Sequence, residues 1–253
     1  MADSAPPVVT ACILIIGNEI LSGRTQDVNV QFLAQGLNEL GIRVMEVRVI
    51  PDVEDTIVEA VNACRAVYDY VFTTGGIGPT HDDITAASLA KAFGVPLVRT
   101  AEAVRMLSVQ YPPDKLTPAR LRMADTPEGS ILLENPVSRA PGFQIGNVFV
   151  LPGVPMIMQA IFNVFKHRLT GGRKMVSTTV SARTVEGVIA DGLRAIQDRF
   201  PDTEIGSYPF FRDGKGGVSL VTRGVDPARV AAATEEIRGL IRSVGAEPIE
   251  DPI

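Results

Sequence analysis

Thr74, Gly75, Gly76, Gly78 and Thr80 stand just ahead of Asp82 and Asp83, in the run Thr73-Thr74-Gly75-Gly76-Ile77-Gly78-Pro79-Thr80-His81-Asp82-Asp83-Ile84-Thr85. Glycines let backbone amides close on a phosphate, hydroxyls add bonds, and the start of a helix adds positive potential. Carboxylates beside a phosphate site are commonly there for a divalent cation, magnesium first among the candidates. These residue types suit metal-assisted chemistry on a phosphorylated or pyrophosphate-bearing small molecule, with Asp83 and Asp82 on the metal. They also suit a plain helix start, in which Asp82 is the N-cap, Asp83 complements the dipole and the glycines serve a tight turn.

The surrounding pattern places this run where a strand hands over to a helix. Residues 69–72 read as a buried strand and residues 84–93 as a helix ended by Gly94. Upstream, the apolar run 8–16 reads as a strand covered on both faces. Residues 27–40 carry Val30, Leu33, Leu37 and Leu40 at helical spacing, and residues 42–50 alternate as a strand. Asp52 is placed to cap a helix whose inner face is Ile57, Ala60, Val61 and Cys64. This order predicts an α/β domain, a mostly parallel sheet between helical layers.

Residues 111–141 are proline-rich and less regular, with short strands expected at 131–133 and 143–145. Residues 147–151 read as a further core strand, and 154–169 as a helix with Pro155 in its first turn. Gly171-Gly172 marks the expected boundary, giving domains 8–170 and 171–253. The second reads as a small α+β unit of order βαββα: strands at 174–182, 203–207 and 218–222, helices at 185–199 and 227–244.

In an open parallel sheet, ligands bind beyond the carboxyl ends of the strands. Gly17, Asn18 and Glu19 follow the first strand, Asp52 the second, Thr74 to Asp83 the third, and Pro152, Gly153 and Pro155 the late core strand. These clusters are expected to meet on one rim, with the amides of Gly75, Gly76 and Gly78 on the phosphates. Glu19 suits a substrate or metal contact and equally a solvated loop. Asp27 and Asn29 suit helix caps or ligand contacts, and Arg139 a phosphate or open solvent. Tyr208 suits a turn. Gly17 to Thr25 is not a Walker A loop, since arginine replaces its lysine, and no nucleophile elbow or zinc spacing is present.

Composition bounds the alternatives. The chain has 253 residues, 45% hydrophobic and 21% charged, with a net charge of −5. A nucleic-acid-binding protein would carry a basic face. Cys12 and Cys64 lack metal-ligand spacing and read as reduced core residues. Residues 1–7 lack the pattern of a secretion signal, and no run approaches a membrane span. A cytoplasmic location, without membrane or nucleic-acid partner, is the expectation.

The glycine run resembles the signature of the MoaB/Mog-like, molybdopterin-binding fold family. Its double aspartate resembles the amino-terminal domain of the CinA family, a domain that also begins eukaryotic FAD synthases. Gly17 to Arg24 with Asp27 and Asn29, Arg122-Met123-Ala124, Pro127-Glu128-Gly129, Asn135-Pro136, Ala140 to Phe143 and Leu151 to Pro155 resemble other motifs of that domain. Gly206-Ser207-Tyr208-Pro209 extends the resemblance into the tail. The resemblance implies metal-dependent hydrolysis of an ADP-ribose- or FAD-type diphosphate, with Asp83, Asp82 and Asp52 catalytic, and a homodimer. Its alternatives are a molybdopterin-binding or adenylylating role, with molybdopterin as ligand, and a non-catalytic nucleotide-binding module. Two positions depart from the family. Asp82 stands where adenylylating members more often carry arginine, and Ile157 stands where a glutamate is common.

Overall fold

The computed structural model describes residues 8–250 apart from residue 213; residues 1–7, read above for a signal, lie outside that range. The chain divides into two compact units, residues 1–172 and 173–253.

The first unit runs β1 (Val9–Ile16), α1 (Asn18–Leu21), α2 (Asn29–Glu39), β2 (Ile42–Ile50), α3 (Glu54–Arg65), β3 (Tyr70–Thr74), α4 (Thr85–Phe93), β4 (Leu97–Arg99) and α5 (Ala101–Gln110). It continues through α6 (Pro118–Leu121), β5 (Asp125–Pro127), β6 (Ile131–Leu133), β7 (Gly142–Ile145), β8 (Val148–Leu151) and α7 (Pro155–Phe165). Six strands form one sheet in the order β2-β1-β3-β8-β7-β6. The first four are mutually parallel, and β7 pairs antiparallel with both neighbours. β4 and β5 pair separately.

The continuous apolar sequence of β1 follows from burial on two sides. Ala11, Ile13 and Ile15 join one core with Leu33 and Leu37 of α2 and Phe162 and Phe165 of α7. Cys12, Leu14 and Ile16 join the other with Ile57, Val61 and Cys64 of α3 and Leu89 of α4. Period-two alternation of one strand thus feeds both layers of an αβα sandwich. Phe149 stacks on Phe72 at 5.1 Å and on Phe165 at 5.0 Å, tying sheet to α7.

The register aligns the carboxyl ends of the parallel strands. Ile16 pairs with Ile50, Ile15 with Thr74, and Thr74 with Leu151. The chain therefore leaves four strands at one edge, carrying Gly17, Asp52, Gly75 and Pro152 to it.

The second unit is β9 (Val176–Ala182), α8 (Glu186–Arg199), β10 (Thr203–Arg212), β11 (Lys215–Gly224) and α9 (Pro227–Ser243), the expected βαββα order. Its antiparallel sheet, β10-β11-β9, buries Val180, Val218 and Leu220 with Ile189 and Ile196 of α8 and Ile237 and Ile241 of α9. Tyr208 lies within β10, not in a turn, and Pro209 is accommodated because β10 is an edge strand.

Candidate functional site

The glycine turn is held by three bonds. The Gly75 amide donates to the Leu151 carbonyl at 3.0 Å, the Thr85 hydroxyl to the Gly75 carbonyl at 3.1 Å, and the Thr85 amide to the Gly76 carbonyl at 3.0 Å. Gly75 and Gly76 have φ of 107° and 67°, where side chains are disfavoured. A Cβ on Gly75 would collide with the Ile16 carbonyl oxygen, and one on Gly76 with the Thr85 hydroxyl. The Gly75 amide is thus committed to the sheet edge, which corrects the expectation that it holds a phosphate. The amides of Gly76 and Gly78 have no partner among the described residues.

Asp83 follows on the same loop. Its Oδ2 accepts from the Thr80 amide at 2.8 Å and from the Thr80 hydroxyl at 2.5 Å. Thr80 therefore orients the carboxylate, and Oδ1 receives no bond from a described residue. The carboxylate lies against Gly78, 2.6 Å from where a Cβ would stand, so a side chain there would displace it. Neither aspartate caps α4: its N-cap is Ile84, without a side-chain bond. Asp82 has a side chain 69% exposed, 3.9 Å from His81.

Glu19 comes from α1. Its carboxylate oxygens fall 2.7 Å from the position a Gly17 Cβ would take. Asp52 is not the cap of α3, whose N-cap is Val53; instead its Oδ2 accepts from the Asn18 amide at 2.9 Å. Asp52 therefore fastens the loop after β1 to the loop after β2. Asp27 does act at a helix start, its Oδ1 accepting from the Val30 amide at 2.9 Å. Asn29 donates to the Gly153 carbonyl at 2.8 Å. Gly153 packs beside the glycine turn: a Cβ built on it would stand 3.4 Å from the Gly75 Cα, in ordinary contact.

These parts enclose a cavity of about 590 Å³, within the range of small-molecule sites. Glu19, Gly75, Gly76, Gly78, Asp83, Pro152 and Gly153 line it together with Tyr111, Arg120, Met123, Asn135 and Ile157. Asp83 and Gly78 also line a smaller cavity of about 180 Å³ with Ala86 and Ala87 of the first turn of α4. Thr74 is buried in β3, and Asp52, Asp82 and Thr80 lie outside the lining of the larger cavity. Among the described residues, Asp52, Asp82 and Asp83 do not form a three-carboxylate cluster.

The opposite wall comes from the proline-rich section, where only Arg139 was weighed from the sequence as a ligand contact. Arg120 lies 4.4 Å from the centre of the Tyr111 ring and donates to the Lys115 carbonyl at 2.8 Å. Arg122 donates to the Pro79 carbonyl at 2.7 Å and lines the smaller cavity beside Gly78 and Asp83. Asn135, 1% exposed, organises its turn through the amides of Val137 and Ser138 and the Ala140 carbonyl. Arg139, at φ 62°, pairs with Glu134 at 3.6 Å and lines a neighbouring cavity.

Residues 12–171 match the family model of a probable molybdopterin binding domain. The chain belongs to this family. Residues 174–248 match the FAD synthase middle domain, so the second unit also has a family of its own. A relative from Archaeoglobus fulgidus is 35% identical over 229 residues, covering 90% of this chain and 96% of that protein. A CinA-like protein from Sulfurihydrogenibium is 38% identical over 160 residues, 60% of this chain and 40% of that longer one. The solved structure of the protein CinA from Thermoplasma acidophilum, of unknown function, is 37% identical with a TM-score of 0.60. It covers 63% of this chain and 96% of its own. The CinA-like resemblance of the molybdopterin-binding domain thus holds in sequence and in fold.

Two carboxylates, Asp83 and Glu19, line its larger cavity. Magnesium is commonly bound by one or two carboxylates together with substrate phosphates. Asp83, with Oδ1 unengaged, and Glu19 offer that number, while Asp82 is turned to solvent.

Proposed function

We propose that the first unit binds a nucleotide diphosphate of ADP-ribose or FAD type and hydrolyses its phosphoanhydride bond. One observation carries this reading: the unengaged amides of Gly76 and Gly78 share a cavity with Asp83 and Glu19. Donors for phosphate oxygens and carboxylates for a cation meet at one place. Magnesium, held by Asp83 and Glu19, would polarise the phosphoryl group and lower the pKa of an attacking water.

The chain's own groups do the positioning. The two glycine amides hold non-bridging oxygens, and the uncapped start of α4 adds positive potential. Thr80 keeps the Asp83 carboxylate turned toward the ligand. Asn29 fixes the Gly153 loop that closes the site beside Gly75. Tyr111 and Arg120 offer a ring face and a cation to the base or flavin portion. Asp52 contributes by fixing the start of α1, the helix that bears Glu19.

A panel of ADP-ribose, FAD and NAD, each with magnesium, manganese and cobalt, tests the reading. A mononucleotide product that requires metal supports it. Tight binding without turnover in any combination refutes hydrolysis and leaves a nucleotide-binding module, for which Ile157 in the cavity wall speaks. The family model favours a second reading, binding of a molybdopterin, and a pterin retained through purification would establish that one. In the same proposal the chain acts in the cytoplasm as a homodimer assembled through residues 171–253.

A further inference from the structure

Cys12 and Cys64 are 52 residues apart in sequence, and their Sγ atoms lie 3.4 Å apart. Both side chains are fully buried, and both are free thiols here. Cys12 is on β1, and Cys64 is in the last turn of α3 packed over that face of the sheet. Glu46 is the β2 partner of Cys12 in the strand register, and its carboxylate joins the two sulfurs in a cluster with all ligand atoms within 4.8 Å. This cluster takes no part in the cavity described above.

Two uses suit such a cluster, a metal ion or a sulfur–sulfur bond. Glu46 argues against the metal. Arg48 donates to it from Nε at 2.7 Å and from Nη2 at 3.1 Å, and the Tyr68 hydroxyl donates at 2.8 Å. Both oxygens are committed to a guanidinium that a metal would have to displace. Burial also pushes both thiols' pKa up, whereas a metal requires thiolates. A disulfide leaves no buried charge, and closing the sulfurs to about 2.0 Å asks for a small shift.

We propose that Cys12 and Cys64 are a disulfide-forming pair, a covalent site that crosslinks β1 to α3 around β2. The oxidant is a small-molecule disulfide. One cysteine thiolate attacks it, forming a mixed disulfide and releasing one small thiol. The second cysteine then displaces the other small thiol and forms the protein disulfide. Two protons leave the cysteines and two electrons reduce the oxidant to two thiols. Since neither sulfur is accessible in the folded state, the exchange takes place while α3 is off the sheet, and docking of α3 then shields the bond.

The full chain, unfolded with reductant, is refolded either in an oxidised and reduced glutathione mixture or in reductant alone. It is then alkylated under denaturing conditions and weighed. Refolding in glutathione should leave neither cysteine alkylated, with a non-reduced peptide map joining the segments of Cys12 and Cys64. Refolding in reductant should give two adducts. The oxidised chain should melt roughly 5–10 °C higher and resist reductant until unfolded. Cys64→Ala should keep Cys12 alkylatable in both arms; if it fails to fold, the wild-type arms still decide. Two adducts after refolding in glutathione, a disulfide-linked dimer, or stoichiometric zinc that blocks alkylation of the reduced chain would each overturn the proposal.

Discussion

The side-chain amide of Asn29 donates to the backbone carbonyl of Gly153 at 2.8 Å, across 124 positions of sequence. Asn29 is 4% exposed, and its Oδ1 has no partner among the described residues. This bond holds the loop after β8 against the glycine turn after β3. Asn29→Leu should keep the fold while removing it, at a cost of about 1–2 kcal/mol for the unpaired carbonyl. Calorimetry with a hydrolysis-resistant ADP-ribose analogue should show affinity falling roughly tenfold for a comparable loss. Unchanged affinity would mean that the loop does not border the ligand.

Gly17 has φ of 169°, an extended conformation open to any residue, so its need for glycine is one of space. Gly17→Ala should push the Glu19 carboxylate aside without backbone strain. We expect a melting temperature close to wild type and a raised magnesium requirement for ligand binding. A magnesium titration that superimposes on wild type would remove Glu19 from the metal site.

Gly78→Ala and Gly76→Ala separate two roles of the loop. At Gly78 the atoms nearest the new Cβ are those of the Asp83 carboxylate, so metal-dependent binding should suffer most. At Gly76 it meets the Thr85 hydroxyl and must adopt φ of 67°, so stability should also fall, by about 1–2 kcal/mol. Chemical denaturation of both variants checks the contrast, which fails if Gly78→Ala proves the less stable.

The glycine turn was legible because its residues announce their backbone: no other residue takes the path of Gly75 and Gly76 past Ile16 and Thr85. β1 was legible because an unbroken apolar run demands cover on both faces. The roles of Asp52 and Asp82 were not. Both precede a helix and suit a cap, but Asp52 instead meets Asn18 from another loop. Tyr111 and Arg120 lie in a stretch without periodicity, and only the folded chain turns them toward Asp83. Cys12 and Cys64 meet because α3 docks in one register on β1, which their spacing does not encode. In the second unit, Pro209 and the Gly216-Gly217 pair hid the length of the β10–β11 hairpin.

The reduced thiols give the chain an alkaline limb. Burial raises both thiol pKa values in the folded state; the Glu46 carboxylate adds to the rise and the Arg48 guanidinium opposes it. Their contribution to stability is therefore complete below the unfolded-state thiol pKa and declines as pH rises above it. In reductant, wild type should lose stability above about pH 8.5 more steeply than a Cys12→Ala, Cys64→Ala double variant, whatever their absolute stabilities. Parallel denaturation midpoints from neutral to alkaline pH would contradict this.

The most direct test of the proposed chemistry is the rate of mononucleotide release from ADP-ribose by wild type and by Asp83→Asn, in magnesium and in chelator. We expect release by wild type in magnesium alone, and a loss of roughly 10²-fold or more in the variant with its fold intact. Equal rates for the two proteins, or release undiminished by chelator, would contradict the account.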